Sequence, residues 1–265
     1  MTSAALRDAF ARPGRIGTRP LLQRQVYVYR RSWAELVAAV VEPLMYLVTI
    51  GVGLGKLVGD APGLPNVSYA AYVAPGLLAM AVMNAATNET IFGAFIRLRQ
   101  EKLYDVVIAT PMSIGEIVRG ELWWATIRGV LAGAGFLAVM VAFGLVHSLW
   151  ALLIVPACAL VALAFAAAGL IVGTYVRDFS DFQWVQIVML PMFLFATTFY
   201  PLSVYPRGVR IVVECLPLYH SINLMREPAL GTLGSGAVVA LVYLAVMTVA
   251  CWWFAVRRLR RVLIR

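Results

Sequence analysis

Six apolar runs of membrane-spanning length constrain the fold of this chain more than any other feature. The runs cover about residues 33–57, 69–96, 122–146, 149–176, 182–200 and 237–256. The hydrocarbon core of a bilayer is about 30 Å thick, and about 20 helical residues cross it. Backbone groups in hydrocarbon must bond to one another, so each run is predicted to be an α-helix. The expected fold class is therefore all-α, a polytopic membrane protein with six transmembrane helices.

The distribution of charge supports this class and predicts an orientation. Only 13% of the residues are charged, against about 25% in soluble domains. The formal net charge of +9 arises from cations that flank the apolar runs, so we interpret them as topology determinants and predict no nucleic-acid partner. If the chain has six spans, most of these cations lie on one side. We therefore predict a multi-pass protein of the inner (cytoplasmic) cell membrane with both termini in the cytoplasm.

Segments outside the spans show two further patterns. Apolar residues share one helical face within 19–32, with arginines around them, which is typical of a helix in the membrane interface. A plain extension of the first span fits the same residues. The stretches 209–216 and 219–225 are apolar but too short to cross, which predicts a re-entrant pair of short helices on the outer side. The expected organisation is a flexible arm at 1–18, an interfacial helix at 19–32, a transmembrane domain at 33–258 and a basic cytoplasmic tail at 259–265.

The longest charged interruption, at 97–121, separates the second and third runs. Its first half fits a short amphipathic helix that ends at Pro111, because proline lacks a backbone N–H and disfavours helix in the residue before it. Ser113 then begins a second helix, with Glu116 as its capping-box partner. A tight helical hairpin needs only a few polar residues, so a structured, charged loop of this length suggests a docking element for a cytosolic partner. A solvated loop with ordinary arginines is the alternative.

Polar residues within the first two spans are candidates for lining a pathway. Glu42 precedes Pro43, which predicts a kink, and an ionisable group at this depth usually faces a bundle interior or a water-filled cavity. Asn84, Asn88 and Glu89 lie in the second span, with the two asparagines on one helical face. These residues either line a pathway or hydrogen-bond neighbouring helices, and the second is the commoner outcome.

The sequence lacks the motifs of an enzyme that acts by itself. The stretch from Gly51 to Lys56 resembles a phosphate loop, but Leu57 stands where that motif needs Ser or Thr. The cysteines are scattered through apolar sequence without paired spacing, which predicts neither a disulfide framework nor a metal site. We therefore predict no catalytic residues and no cofactor on this chain. Any energy from ATP must then come from another chain.

Four sequence blocks and one arginine carry a resemblance to a known family. They are residues 72–80, 84–90, 102–113 and 216–220, together with Arg226. The block Ala109-Thr-Pro-Met-Ser113, with Tyr104 and Asp105 upstream, is fairly specific, whereas the hydropathy pattern is not. The layout resembles the membrane subunit of type-2 ABC exporters, the ABC-2 permease family. Within it, the resemblance is to lipooligosaccharide (nodulation-factor) export permeases and daunorubicin-resistance-type drug permeases.

The resemblance implies a half-transporter that another protein drives. Two copies, or a related pair, would bind two cytosolic ABC ATPase subunits, and those subunits would hold ATP and Mg. The substrate would be amphipathic, either a glycolipid such as a lipooligosaccharide or a hydrophobic drug, exported from the cytoplasm or the inner leaflet. The first cytoplasmic loop would contact the ATPase. An ATP-independent carrier or channel-like protein is the alternative.

Two sets of candidate residues follow. The candidates for coupling to the ATPase are Arg97, Arg99, Lys102, Leu103, Tyr104, Asp105, Pro111, Met112, Ser113 and Glu116. The candidates for the substrate pathway are Glu42, Asn84, Asn88, Glu89, Tyr200 and Arg226.

Overall fold

The computed structural model describes residues 23–27, 33–55, 60–61, 64–101, 104, 112–146 and 148–263. Helix dominates this part of the chain. The α-helices are α1 (Trp33–Tyr46), α2 (Tyr69–Phe95), α3 (Ile114–Ala142), α4 (Ile154–Gly173), α5 (Phe182–Phe195), α6 (Arg207–Glu214), α7 (Pro217–Leu230) and α8 (Ser235–Leu263). The predicted arm at 1–18 and most of the predicted interfacial helix lie outside the described residues, which show a helical turn at 23–27.

Several of these helices have the length and composition of membrane spans. Within the described ranges, the segments long and apolar enough to cross are Tyr69–Gln100, Ile114–Ala142, Leu149–Gly173 and Ser235–Leu263. Two shorter apolar segments, Val37–Gly51 and Phe179–Phe195, stand at the positions of the first and fifth predicted spans. The predicted all-α, polytopic membrane fold is thus confirmed, and the count of six spans stays a prediction.

The first helical segment runs through its proline without ending there. Pro43 lies inside α1, and the chain continues from Leu47 to Leu54 as a π-helix. Proline removes one backbone donor from the helical ladder, and π-helical turns are a recognised form of helix irregularity. The sequence predicts a kink at Glu42-Pro43, and the structure changes from α-helix to π-helix four residues after Pro43.

The connection between α1 and α2 contains a small hairpin that the sequence did not predict. Strand β1 (Asp60–Ala61) pairs antiparallel with β2 (Leu64–Ser68). Ser68 ends β2 and caps α2, because its Oγ accepts a hydrogen bond from the backbone N–H of Ala71 at 3.2 Å. The strand pair therefore leads directly into the second span.

Helix α2 lies at the centre of the bundle. It packs against α1, α3, α4 and α7. In its most apolar window 83% of the residues are buried, whereas the corresponding figure for α8 is 11%. A helix enclosed by protein can carry polar side chains that meet partners or a cavity instead of lipid. Helix α2 is the span that holds Asn84, Asn88 and Glu89.

Close backbone approach joins α2, α3 and α4. A Cβ on Gly133 of α3 would lie 2.6 Å from Cys158 Sγ on α4 and 2.8 Å from Val82 Cγ2 on α2. A Cβ on Gly173 of α4 would lie 3.0 Å from the carbonyl oxygen of Ile91 on α2. Small residues let helix backbones meet in this way, so the glycines of α3 and α4 permit the tight packing of the three helices.

Two short helices precede the last span, as the sequence predicts. Helices α6 and α7 meet at Cys215 and Leu216, and Pro217 occupies the first turn of α7. Gly231 ends α7 in the left-handed conformation, with φ of 77°, which favours glycine at a helix C-terminus. The helix pair is confirmed, and its position within one leaflet stays a prediction.

Basic residues near the end of α8 lie beside the end of α4. The Cζ atom of Arg258 lies 4.0 Å from the ring centre of Tyr175, and its Nε donates to Thr174 Oγ1 at 3.3 Å. Arg177 follows Tyr175 by two residues in the chain. The basic segment of α8 and the connection after α4 are therefore at one end of the bundle, as the predicted topology requires.

Candidate functional site

A cluster of buried charges, called here the ion cluster, joins α2 to α3. It contains Glu89, Arg97, Glu121 and Arg128, whose side chains are between 3% and 11% exposed. Arg97 Nη2 donates to Glu89 Oε1 at 2.9 Å, and its Nη1 donates to Glu121 Oε2. Arg128 Nη1 donates to Glu89 Oε2. Among the described residues, two cations and two anions are in contact, and each buried charge has an opposite charge as a partner.

Tyr104 connects the loop between α2 and α3 to the ion cluster. Its hydroxyl donates to Glu121 Oε1 at 3.0 Å, and the side chain is 1% exposed. Burial, and then the Glu121 carboxylate, raises the pKa of the Tyr104 phenol well above its usual value of 10.0. The phenol therefore stays protonated and keeps donating to the carboxylate. A residue of the predicted coupling loop is thus hydrogen-bonded to the ion cluster between α2 and α3.

A cavity of about 580 Å³ opens beside the ion cluster. Its walls come from the turn at 23–27, α1, α2 and α3. Its polar and charged lining residues are Arg24, Gln25, Glu42, Asn84, Asn88, Glu89, Arg97, Glu101 and Arg128. The structure thus brings together the predicted pathway residues of the first two spans. A volume of this size lies within the range of pockets that bind small ligands, roughly 300–1,000 Å³.

The two asparagines face the cavity and do not join helices. Neither Asn84 nor Asn88 hydrogen-bonds another residue in the described part of the chain, and Asn88 is exposed. Interhelical bonding, which the sequence favours for these amides, is therefore not what the structure shows. Glu89 does join helices, because its carboxylate binds Arg97 and Arg128. The face of α2 that carries the asparagines is turned to a space that α1 does not fill.

The remaining pathway candidates lie at the other end of α2. Arg226 is buried at what is called here the Arg226 junction, made with Tyr72 and Thr197. Its Nε donates to the Tyr72 carbonyl at 3.2 Å, its Nη2 donates to the Thr197 carbonyl at 2.8 Å, and its Cζ lies 3.9 Å from the Tyr72 ring centre. Tyr200 is about half exposed. Neither Arg226 nor Tyr200 lines the cavity.

The coupling candidates divide into three groups. Lys102, Leu103, Asp105 and Pro111 lie outside the described residues. Arg97, Tyr104 and Met112 are buried, and the first two belong to or contact the ion cluster. Arg99 is exposed. Ser113 and Glu116 form the predicted capping box: Glu116 N donates to Ser113 Oγ at 3.3 Å, and Ser113 N donates to Glu116 Oε2 at 2.8 Å. The capping box is confirmed, and the docking role of this loop stays a prediction.

Sequence reasoning missed Glu121 and Arg128. Both lie on α3 and are seven residues apart, which places them on one helical face two turns from each other. An arginine inside an apolar run is itself a signal, since ionisable groups in spans usually mark a partner or a pathway. The sequence therefore contained the signal for Arg128, whereas the choice of Glu89 as its partner needed the packing of α2 on α3.

An all-α bundle with apolar helices of spanning length, a polar cavity between them and buried ion pairs beside it has the architecture of a polytopic membrane protein. The family model of the ABC-2 type transporter matches residues 18–230. This chain belongs to that family.

Individual relatives agree with the family. The chain is 36% identical over 215 residues to Nodulation protein J of Rhizobium leguminosarum bv. trifolii, which covers 78% of this chain and 81% of the relative. It is 34% identical over 216 residues to Nodulation protein J of Rhizobium meliloti (strain 1021), with 78% and 81% covered. It is also 27% identical over 248 residues to the inner membrane transport permease YadH of Escherichia coli (strain K12), with 89% of this chain and 93% of the relative covered.

Proposed function

We propose that this chain is the transmembrane subunit of an ABC exporter that moves an amphipathic substrate out of the cytoplasm or the inner leaflet. A separate ATPase supplies the energy, and the substrate is a glycolipid or a hydrophobic drug. The observation that carries the proposal is the unbroken series of contacts from Tyr104 in the loop, through Glu121 and Arg97, to Glu89 at the wall of the cavity.

The ion cluster suits the transmission of movement. Arg97 binds carboxylates on two elements, and Glu89 binds two arginines, so each group has a second partner if one contact is broken. Switching needs differential contacts in two states, and a charge that exchanges partners supplies them. A displacement of the loop at Tyr104 would shift Glu121, and the arginines would follow it. The cavity wall formed by Glu89 and Arg128 would then move with the loop.

The relatives support transport across an inner membrane. One of them is called an inner membrane transport permease, and two are nodulation proteins. We extend this to a six-span topology with both termini in the cytoplasm, which places Arg97, Arg177 and the basic end of α8 on the inner side. The first and fifth spans would be the shorter apolar segments Val37–Gly51 and Phe179–Phe195.

The proposed assembly has two copies of the ATPase and a second permease copy or a related chain. ATP and Mg would be held by the ATPase subunits, and this chain would hold no cofactor. Large apolar side chains of α5 and α8, including Trp184, Val188, Val246 and Val249, are exposed on the surface of the single chain. Lipid or a second permease would cover them, since exposed apolar surface of this extent marks an interaction site or a membrane face.

Copurification from native membranes tests the proposal. The tagged chain should retain a soluble ABC ATPase, and Arg99→Glu should reduce the amount retained because it reverses an exposed charge of the coupling loop. Arg207→Glu is the matched control, an exposed arginine at the Arg226 end of the bundle. Uphill transport by the purified chain in vesicles without any ATPase would contradict the proposal and favour the ATP-independent carrier.

A further inference from the structure

We infer that Glu42, together with Asn84 and Asn88, selects the headgroup of the substrate: the cavity takes amphiphiles whose headgroup donates hydrogen bonds and carries no net negative charge. The inference rests on the proposed function and adds a substrate class to it. Three observations support it: most charged lining residues form ion pairs, Glu42 and the two asparagines do not bond described residues, and the remaining lining is apolar.

The charges around the cavity cancel in pairs, with one exception. Glu89, Arg97 and Arg128 are bound within the ion cluster, which Glu121 balances. At the mouth, Arg24 Nη2 lies 3.1 Å from Glu101 Oε2, and both side chains are partly exposed. Glu42 forms no ion pair with any other residue that the structure describes. Among the described lining residues, the charge left without an opposite charge in contact is therefore the Glu42 carboxylate.

The amides beside that carboxylate are also available. Asn84 and Asn88 line the same cavity and make no hydrogen bond to a described residue. A carboxylate only accepts hydrogen bonds, and an amide both donates and accepts. Together the three side chains offer more acceptors than donors. Hydroxyl or ammonium groups of a ligand satisfy such a surface, whereas a phosphate or sulfate is an anion that mainly accepts hydrogen bonds at neutral pH and meets a like charge.

The rest of the lining suits an apolar chain. Met80, Ala81 and Phe92 of α2 and Pro43 of α1 line the cavity beside the polar groups. The combination of a few convergent polar groups with apolar walls is typical of a site that fixes one end of an amphiphile and buries the other. Discrimination against an anionic headgroup then arises from repulsion by Glu42, a negative element of specificity.

Direct binding tests the inference without the ATPase. The purified chain in nanodiscs of phosphatidylcholine is titrated with three amphiphiles that share one alkyl chain and carry a glucoside, a primary amine or a phosphate headgroup. Wild type should bind the glucoside and the amine more tightly than the phosphate. Glu42→Gln should weaken binding of the amine about tenfold, the size expected for one charge contact in a partly solvated site, and Glu42→Lys should make the phosphate the preferred ligand.

Glu214→Gln is the matched control, because Glu214 is an exposed carboxylate of α6 that does not line the cavity. It should leave all three affinities unchanged. An unaltered order of affinities in both Glu42 variants, or saturable binding to none of the three amphiphiles, would overturn the inference. Retention of the ATPase in the copurification experiment would still support the proposed function, so the two can fail separately.

Discussion

Arg97 and Arg226 are both buried arginines, yet the structure satisfies them in opposite ways. Arg97 binds carboxylates of α2 and α3, whereas Arg226 binds two backbone carbonyls and the face of Tyr72. The two sites are at opposite ends of α2, about 25 Å apart at 1.5 Å per residue between Tyr72 and Glu89. Charges can exchange partners, while carbonyls fixed in a backbone cannot. The comparison teaches that the Arg97 end is built to rearrange and the Arg226 end to hold.

Backbone conformation at the Arg226 junction supports this reading. Thr197 has φ of 63°, the one positive value of a non-glycine residue among those that the structure describes. A β-branched residue adopts this conformation at a cost that its surroundings must offset. The Thr197 carbonyl accepts from Arg226 and from the Tyr72 hydroxyl, the latter at 3.4 Å. Arg226 therefore holds the end of α5 in a conformation that this residue type disfavours.

The largest expected effect comes from removing one carboxylate of the ion cluster. Glu89→Gln removes the carboxylate that both Arg97 and Arg128 bind, and a buried pair broken on one side loses about 3–5 kcal/mol. Equilibrium unfolding in mixed micelles measures the change. Combining Glu89→Gln with Arg128→Met should recover part of the loss, since one of the uncompensated charges is gone. A double variant no more stable than the single one would remove the basis for treating the four residues as one network.

A smaller loss is expected at the Arg226 junction. Arg226→Met removes the cation together with its hydrogen bonds and leaves no carboxylate exposed to hydrocarbon, so we expect about 1.5–3 kcal/mol, the range for hydrogen bonds to a charged group. The same unfolding measurement applies, with Arg210→Met as a control on the partly exposed surface of α6. A larger loss of unfolding free energy for Arg226→Met than for Glu89→Gln would contradict this ranking of the two sites.

The smallest expected effect on stability concerns Tyr104. Tyr104→Phe removes one hydrogen bond to Glu121, which keeps its contact with Arg97, so the expected loss is about 1.5 kcal/mol, the lower end of the range for a hydrogen bond to a charged group. Its functional effect should be larger, because the hydrogen bond that Tyr104 makes from the loop to the cluster is then lost. We expect substrate-stimulated ATPase activity of the assembled complex to fall while the amount of bound ATPase is retained. Tyr219→Phe, at the other end of the bundle, is the control. Equal stimulation of ATPase activity in both variants would show that Tyr104 has no part in coupling.

Local features of the fold could be predicted from the sequence, and contacts between distant residues could not. The apolar run at 69–96 became α2, and the Ser-x-x-Glu pattern at Ser113 became a capping box, because both depend on neighbours along the chain. Helix α8 extends to Leu263, beyond the predicted end at 256, since its arginines stay helical while their side chains contact Trp253 and Tyr175.

Partners within the candidate site needed the packing of helices. Periodicity shows which side chains share a face, but it does not say which helix that face meets. Glu89 was grouped with Asn84 and Asn88 for this reason, although it binds α3 and they face a cavity. Arg128 stood in an apolar run and was passed over, because its partner is 39 residues away in the chain.

The near-contact of backbones at Gly133 and Gly173 has a mechanical consequence. Sliding α4 along α2 by one residue would bring a side chain against the Ile91 carbonyl, so we expect α2, α3 and α4 to move together. The close approach of α1 to this block is of another kind: a Cβ on Gly135 of α3 would lie 2.9 Å from Val40 Cγ2 of α1, the end of a side chain and not backbone. Any widening of the cavity that admits or releases a molecule is therefore expected to move α1 relative to α2, α3 and α4.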